Sequence, residues 1–397
     1  MNLFDVNTRL VKPTYESPVT DLIIELEKLR TRILGGTTNP YVFFQMKEIF
    51  HTLESIGSAR IEGNNTTITD YLETKYDGSG KNNTERKEGV KEIANIESAI
   101  SFIESYIKDS KIDRPFLSEL HKLVVSDLNY LSGGEGDKTP GLFRLGNVAI
   151  KKSKHKPIDF LRIDEFMDEL FDFINKDDLP KYDLLKIAIV HHRFLWIHPF
   201  TNGNGRTARL ITYAMLVKYG FNVNAGRILN PTAVFCNSRG DYYDNLAKAD
   251  TQTDDGILDW CQYVLNGLKI EIEKVDKLAD YTYLKTQILI PAVEYAVKNS
   301  SIREIEGKII KVVIEKQEIM ANDLKGLFYN KSNPEISRQI KMLTDKNMLE
   351  PIEIKARKYR LRVLNKHLLP AVFHMLDENG FLPEKNETKQ IKELLAP

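Results

Sequence analysis

The chain has 397 residues, and its 56 basic and 56 acidic side chains give a formal net charge of zero. That length supports two or three domains with sizeable cores, and the balanced charge excludes a general attraction to nucleic acid or to an anionic membrane surface. Cys236 and Cys261 form no C-x-x-C pair, no apolar run reaches the roughly 18 residues of a membrane span, and Met1–Pro18 lacks a signal-peptide core. We therefore expect a cytoplasmic protein with no disulfide framework and no membrane partner.

Most of the chain up to residue 280 is predicted to be helical. Apolar side chains recur every three or four residues from Phe43 to Leu53, which predicts an amphipathic helix that begins at about Pro40 and stops at Gly63. The same spacing predicts helices at about 86–108, 115–129, 159–175, 182–196, 205–219 and 255–280, with two short helices in 231–249.

The segment 131–157 has a different composition, because glycine and proline residues interrupt it repeatedly. Within it, Asn147–Ile150 has the pattern of a short strand. We predict a loop and a β-hairpin that reaches over a site formed elsewhere in the chain.

The C-terminal part changes pattern after about 280–302. Apolar spacing in 302–346 predicts three helices, and 350–354 with 359–363 predicts a β-hairpin, an order that resembles a winged-helix domain. From Lys331 to Arg362 there are nine basic and four acidic residues. This basic surface leaves DNA binding open, although a protein-interaction or dimerisation module is the favoured alternative.

The predicted fold class is therefore mostly α. We divide the chain into an N-terminal helical region, 1–110, a helical core, 111–280, and a C-terminal winged-helix-like domain, 281–397.

One loop between two helices carries most of the chemical information. Gly203 and Gly205 allow a backbone to approach a ligand closely, and the helix that follows presents free N–H groups and the positive end of its dipole to an anion. Arg206 and Arg209 lie three residues apart, so both can bind phosphate oxygens, and His198 can accept a proton from a hydroxyl. The loop predicts a site that moves a phosphate-containing group.

This stretch resembles the motif of the Fic (Fido) family, His-x-Phe-x-(Asp/Glu)-Gly-Asn-Gly-Arg-x-x-Arg. The identical residues are His198, Phe200, Gly203, Asn204, Gly205, Arg206 and Arg209. The resemblance implies a Fic-type helical bundle with a β-hairpin flap that transfers AMP from ATP to a Ser, Thr or Tyr hydroxyl of a target protein. It makes His198 the base, Gly203, Asn204, Gly205 and Arg206 the phosphate cradle, and Arg209 the anchor of the γ-phosphate.

A second motif lies upstream, in the predicted helix that stops at Gly63. Ser58, Glu62 and Gly63 match the inhibitory motif of the same family, (Ser/Thr)-x-x-x-Glu-(Gly/Asn). The resemblance implies that Glu62 pairs with Arg209 and prevents the γ-phosphate from binding productively. A carboxylate and a phosphate compete for one guanidinium group, so the two states exclude each other.

Two further segments resemble parts of the family's site. Residues Val148, Ala149, Ile150 and Lys151 resemble the flap, which holds the target segment by strand addition. Tyr242 and Tyr243 resemble the segment that lies against the adenine, although two aromatic side chains in a helix also suit a core.

Asn202 is the departure from the motif. The family has Asp or Glu at this position, where the resemblance implies a ligand of Mg²⁺, the expected cofactor beside ATP. An amide oxygen can bind a hard cation but adds no charge, so Asn202 predicts weaker metal binding. We interpret His191 and His192 as structural residues.

Two other readings stay open. One keeps the fold but changes the reaction, to another nucleotide donor or to the removal of AMP with Glu62 orienting water. The other is a nucleotide-sensing regulator that acts on DNA through its C-terminal domain. A homodimer is also compatible with the sequence.

Overall fold

The computed structural model describes residues 8–31, 36–77, 84–131, 133–150, 155–221, 230–328, 332–353 and 356–382. The chain folds into two compact units. The first consists of Met1–Ile33, Phe50–Asn65 and Asn82–Glu273, and the second of Leu34–Ile49, Thr66–Lys81 and Lys274–Pro397. The three-domain division drawn from the sequence stays a prediction.

The part of the chain up to residue 276 is helical, as predicted. Its helices are α1 (Pro18–Thr31), α2 (Pro40–Glu62), α3 (Ile68–Asp77), α4 (Thr84–Tyr106), α5 (Arg114–Val125), α6 (Ile163–Asn175), α7 (Asp183–Ile197), α8 (Asn204–Lys218), α9 (Thr232–Cys236), α10 (Arg239–Ala249) and α11 (Asp254–Asp276). The sequence analysis did not predict α1 and α3. None of the described helices is both long and apolar enough to cross a membrane.

The core of the first unit is built around α7. Its residues from Leu184 to Phe194 are buried on every side, as expected of a helix that is enclosed by others. Helices α6 and α8 pack against it, and α4 packs against both α5 and α8. The Trp260 indole of α11 donates a hydrogen bond to Ala188 O across 2.7 Å, which fixes α11 against α7. The junction of α7 and α8 is therefore held rigidly on several sides.

The second unit continues with short helices and a small sheet. Its elements are α12 (Tyr281–Tyr283), a π-helical turn (Leu284–Leu289), α13 (Ile290–Lys298), α14 (Glu304–Lys316), β1 (Glu318–Ile319), a 3₁₀ helix (Ala321–Leu327), α15 (Asn333–Asp345), β2 (Leu349–Pro351), β3 (Tyr359–Leu361) and α16 (Leu369–Glu378). The strands are antiparallel in the order β1-β3-β2, and Glu350 lies opposite Arg360. The predicted order of three helical segments and a hairpin is present, and the winged-helix assignment itself stays a prediction.

The short strand predicted at Asn147–Ile150 is not formed in the described residues. The Asn147 side chain instead bonds the segment that leads into α6. Its Oδ1 accepts from Phe160 N at 3.0 Å, and its Nδ2 donates to Asp159 at 3.1 Å. These side-chain bonds fix the backbone without a strand partner, which periodicity cannot reveal.

Candidate active site

His198 lies immediately after the last residue of α7. Its backbone has a left-handed conformation with φ 54°, and its N–H donates to Phe194 O at 2.9 Å. The ring Nδ1 is 3.4 Å from Leu195 O, and the described residues form no hydrogen bond with Nε2. Burial lowers the pKa of His198 to about 4, and the nearby Arg144 guanidinium acts in the same direction. The imidazole is therefore neutral near pH 7 and can accept a proton.

Arg144 supports this end of α7. Its side chain is buried, and its Nε donates to His198 O at 2.9 Å while its backbone N–H donates to Pro199 O at 2.8 Å. Its other guanidinium nitrogens donate to Gly146 O at 2.8 Å and Ile158 O at 2.6 Å. The sequence placed Arg144 in a segment that resembles the flap but did not predict this supporting role, because carbonyl acceptors leave no motif.

The loop between α7 and α8 is shaped by Asn204. Its Oδ1 accepts from Phe200 N at 3.0 Å, and its Nδ2 donates to Phe200 O at 2.8 Å. Gly203 has φ 75°, and a methyl group there would press on Val125 and His121 at 3.1 and 3.3 Å. Asn204 thus holds the loop from within, whereas the sequence analysis expected it to contact the nucleotide.

His121 of α5 is a second internal support that the sequence analysis missed. Its ring stacks on Phe200 with centroids 3.7 Å apart. Gly141 N donates to Nδ1 at 2.9 Å, so the proton lies on Nε2, which donates to Asn202 O at 3.0 Å. Burial lowers the pKa of His121 to about 4, in keeping with this neutral form.

The Asn202 side chain is engaged in the loop 133–137. Its Nδ2 donates to Gly134 O at 2.9 Å and to Gly136 O at 3.2 Å, and its Oδ1 accepts from Gly203 N at 2.8 Å. Its backbone N–H donates to Asp137 at 3.1 Å. In this arrangement the Asn202 amide joins the loop 133–137 to the loop before α8. Its nitrogen forms two of its three side-chain hydrogen bonds.

Arg209 is buried and bound to α2. Its Nε donates to Ser58 Oγ at 2.9 Å, and its Nη2 donates to Ser58 O at 2.9 Å and to Glu62 Oε1 at 2.7 Å. Burial alone would lower the pKa of Arg209, but the Glu62 carboxylate outweighs it, so the pKa is raised. Burial likewise opposes the charge of Glu62, and Arg209 and Arg206 nevertheless lower its pKa. Both partners are therefore charged.

The Glu62 carboxylate lies against the first turn of α8. A methyl group at position 205 would collide with Glu62 Oε1, so only glycine leaves room for the carboxylate there. The first N–H groups of a helix have no acceptor within it, and the helix dipole favours a negative charge at this end. Gly63, with φ 111°, ends α2 directly after Glu62. Glu62 thus occupies the position where the sequence predicts a phosphate.

Arg206 is also buried and faces two carboxylates. Its Nη2 donates to Glu135 O at 2.7 Å and to Glu135 Oε2 at 3.0 Å, and its Nη1 is 3.0 Å from Glu92 Oε1. Glu135 and Glu92 lie far from Arg206 in the sequence and carried no signal that could have identified them. Both arginines of the predicted phosphate site are therefore engaged by acids.

Tyr242 and Tyr243 lie in different environments. Tyr242 is buried and donates its hydroxyl proton to His191 Nε2 at 3.0 Å, because His191 Nδ1 donates to Thr212 at 2.7 Å. The Thr212 hydroxyl donates its own proton to Ala208 O, so its oxygen is the acceptor for His191. Tyr243 is exposed, so of the pair it alone can meet a ligand without rearrangement.

The remaining predicted residues are less informative. Val148, Ala149 and Ile150 lie in an irregular, partly exposed segment, and Lys151 lies outside the described residues. His192 Nε2 donates to Asp250 Oδ1 at 2.9 Å, which agrees with a structural role. The structure thus brings together His198, the loop 203–206, Arg209, Ser58 and Glu62, while Tyr242 lies in the core.

Glu54 connects α2 to the rest of the unit. It lies one turn before Ser58, and its buried carboxylate accepts from Thr232 N at 2.9 Å and from the Thr232 hydroxyl at the start of α9. Burial raises the pKa of Glu54 to about 7, although the Thr232 bonds act against this.

Comparison with known proteins finds a family model that matches part of this chain. Residues 111–216 match the Fic/DOC family model. Protein adenylyltransferase Fic of Nematostella vectensis is 28% identical over 199 residues, which are 49% of this chain and 42% of the relative. The protein of the same name from Aedes aegypti is 27% identical over 208 residues, 51% of this chain and 37% of the relative. The chain thus spans less than half the length of these relatives.

Solved structures have the same fold. A Fic family protein from Desulfovibrio desulfuricans G20 superposes with a TM-score of 0.54 at 20% identity, over 89% of this chain and 98% of that one. Fic-1 from Caenorhabditis elegans superposes with a TM-score of 0.52 at 19% identity, over 65% of this chain and 71% of that one. At these identities the likeness establishes the fold.

Glu54→Gln should change how stability depends on pH. The folded protein keeps the Glu54 proton up to about pH 7, whereas the pKa of a free Glu is 4.5. Stability is therefore lost as the pH rises from about 4.5 to 7, by up to about 3 kcal/mol. The thermal stability of Glu54→Gln should change less over this pH range. The stability of Glu48→Gln, an exposed change in the same helix, should follow that of the wild type. Parallel curves for the Glu54 variant and the wild type would contradict the assignment.

Proposed function

We propose that this chain, which carries a Fic/DOC-family domain in residues 111–216, transfers AMP from ATP to a Ser, Thr or Tyr hydroxyl of a target protein. We propose further that Glu62 holds it inactive. The observation that carries the proposal is the Glu62 carboxylate, bound to Arg209 at 2.7 Å and lying against Gly205 at the start of α8. In this position the Glu62 carboxylate would block the anion site formed by Arg209 and the start of α8.

The reaction needs a base, which is His198. Neutral His198 takes the proton of the target hydroxyl, whose oxygen forms a bond to the α-phosphorus of ATP. The bond from the α-phosphorus to the bridging oxygen breaks, and pyrophosphate leaves. A base with a lowered pKa is unprotonated over the whole neutral range, so protonation does not limit it.

The N-terminus of α8 supplies the electrostatic part. The free N–H groups after Gly203, together with Arg206 and Arg209, neutralise the triphosphate once the acids that hold these arginines are displaced. Fixed donors of this kind cost no reorganisation during the reaction, which suits a transfer that depends on position and charge.

Mg²⁺ is expected to accompany ATP, but the described residues do not form a protein site for it. Asn202 Oδ1 accepts from Gly203 N, and Asn202 Nδ2 donates to two carbonyl groups. No group of three His, Cys, Asp or Glu side chains among the residues described could hold a metal ion. The proposed mechanism therefore routes no step through a metal held by the protein.

The second unit is proposed to recognise a partner, with a protein preferred to DNA and a second copy of the chain as another candidate. Arg338 and Lys341 of α15 and Arg357 of the β2–β3 hairpin are exposed and form no ion pair with the described residues, whereas Arg360 is paired with Glu350 at 2.7 Å. Such free cations suit an anionic surface. Retardation of duplex DNA that falls steeply as salt rises would contradict the preference for protein.

His198→Ala should abolish the labelling of target proteins by labelled ATP in a cell lysate. Removing a general base typically lowers the rate by about 10²–10⁴-fold. The one hydrogen bond that the described residues form with the His198 ring is the long contact with Leu195 O at 3.4 Å, so ATP affinity and thermal stability should change little, and both serve as the control. Unchanged labelling would show that His198 is not the base.

Glu62→Gly should raise labelling by about tenfold or more, because it frees Arg209 and the start of α8. Glu62→Gln, which keeps the size but not the charge, should have an intermediate effect. Arg209→Ala should remove the gain when combined with Glu62→Gly, since acid and phosphate use the same group. Lower labelling by Glu62→Gly would refute self-inhibition, and release of AMP from modified protein would favour the reverse reaction.

A further inference from the structure

Arg206 is the least accessible part of the phosphate site. Its side chain has no exposed surface, and its Nε and Nη1 have no hydrogen-bond partner of good geometry among the described residues. Buried donors of a charged group are rarely left without acceptors, so a group that supplies them is expected. A phosphate oxygen is an acceptor of the required charge and size.

Two carboxylates surround Arg206, and they differ in access to solvent. The Glu92 side chain is 3% exposed and is therefore enclosed by the protein. The Glu135 side chain is 37% exposed, so it covers the side from which a ligand would arrive. A phosphate that reaches Arg206 therefore meets Glu135 first.

The loop around Glu135 is built to hold it there. Gly134 and Gly136 flank it, and a methyl group on either would collide with the backbone of Asn129 or Leu128. Asn202 Nδ2 donates to the carbonyl oxygens of both glycines. A carboxylate at position 202 would face those oxygens and repel them, so the amide is what this loop requires.

We propose that Glu135 is a second acidic stopper of the nucleotide site, which competes with ATP phosphate for Arg206 as Glu62 competes for Arg209. The proposal rests on the proposed function, because it takes the ligand of Arg206 to be nucleotide phosphate. Glu135 is not part of any motif in the sequence, and Asn202, the departure from the motif, positions its loop.

The two acids belong to different segments and hold different arginines. Glu62 ends α2, whereas Glu135 lies in the loop after α5. Displacing one leaves the hydrogen bonds of the other in place. Replacing Glu135 should therefore raise ATP affinity even when Glu62 is absent, which distinguishes a second stopper from a residue that acts only through Glu62.

The test is the affinity for ATP with Mg²⁺, measured by calorimetry on the full chain. Glu135→Gln keeps the size and loses the charge, and it should raise affinity about fivefold, as expected for one half-exposed ion pair. In the Glu62→Gly background it should also raise affinity. Glu119→Gln removes another half-exposed acid, paired with Lys122 on α5, and should have no effect. Thermal unfolding of each variant checks the fold.

The outcomes separate the two claims. If Glu62→Gly does not bind ATP, the proposed function fails and the stopper with it. If Glu62→Gly binds ATP but Glu135→Gln leaves affinity unchanged in both backgrounds, the stopper alone is refuted. Weaker binding by folded Glu135→Gln would also refute it, and would make Glu135 a group that assists the nucleotide, through a metal or by positioning Arg206.

Discussion

The start of α8 concentrates positive charge at a point enclosed by helices, and the Glu62 carboxylate is what neutralises it. Free backbone N–H groups, the helix dipole and buried Arg209 all act in the same place, so a negative charge must be present in the folded protein. Glu62 supplies that charge at 2.7 Å from Arg209. A charged pair so placed is stable only while both partners stay together, since removing either leaves the other buried and unpaired. The site is therefore either closed by its own acid or filled by a ligand with the same charge.

Everything around the loop keeps that point fixed. Asn204 ties the loop to Phe200, and His121 supports it from α5. Arg144 holds the carbonyl of His198 from the other side, so His198 and the proposed anion site are positioned by one continuous set of hydrogen bonds. The proposed function needs these donors to stay in place and requires only that the Glu62 carboxylate be displaced. The loop 133–137 places a second acid, Glu135, against Arg206.

The local parts of this site could be predicted from the sequence, and the long-range parts could not. The order of a helix, a Gly/Asn turn and a second helix follows from residues that are neighbours in the chain. The positive φ of Gly203 follows from the same residues. The pair of Glu62 with Arg209 was accessible only through resemblance to a family. Glu135 is 71 residues from Arg206, and its glycine-flanked loop gives no periodic signal. Helix α16 was missed because it is buried on several faces, whereas α1 has apolar residues at Val19, Leu22, Leu26 and Leu29, a helical spacing that the sequence analysis overlooked.

The central claim is that acid and phosphate share one position at the start of α8. The most direct test is a crystal structure of the Glu62→Gly variant with a non-hydrolysable ATP analogue. The account predicts phosphate oxygens against Gly205, where the Glu62 carboxylate lies, and within hydrogen-bond distance of Arg209. Phosphates bound elsewhere, with Arg209 still held only by Ser58, would contradict it.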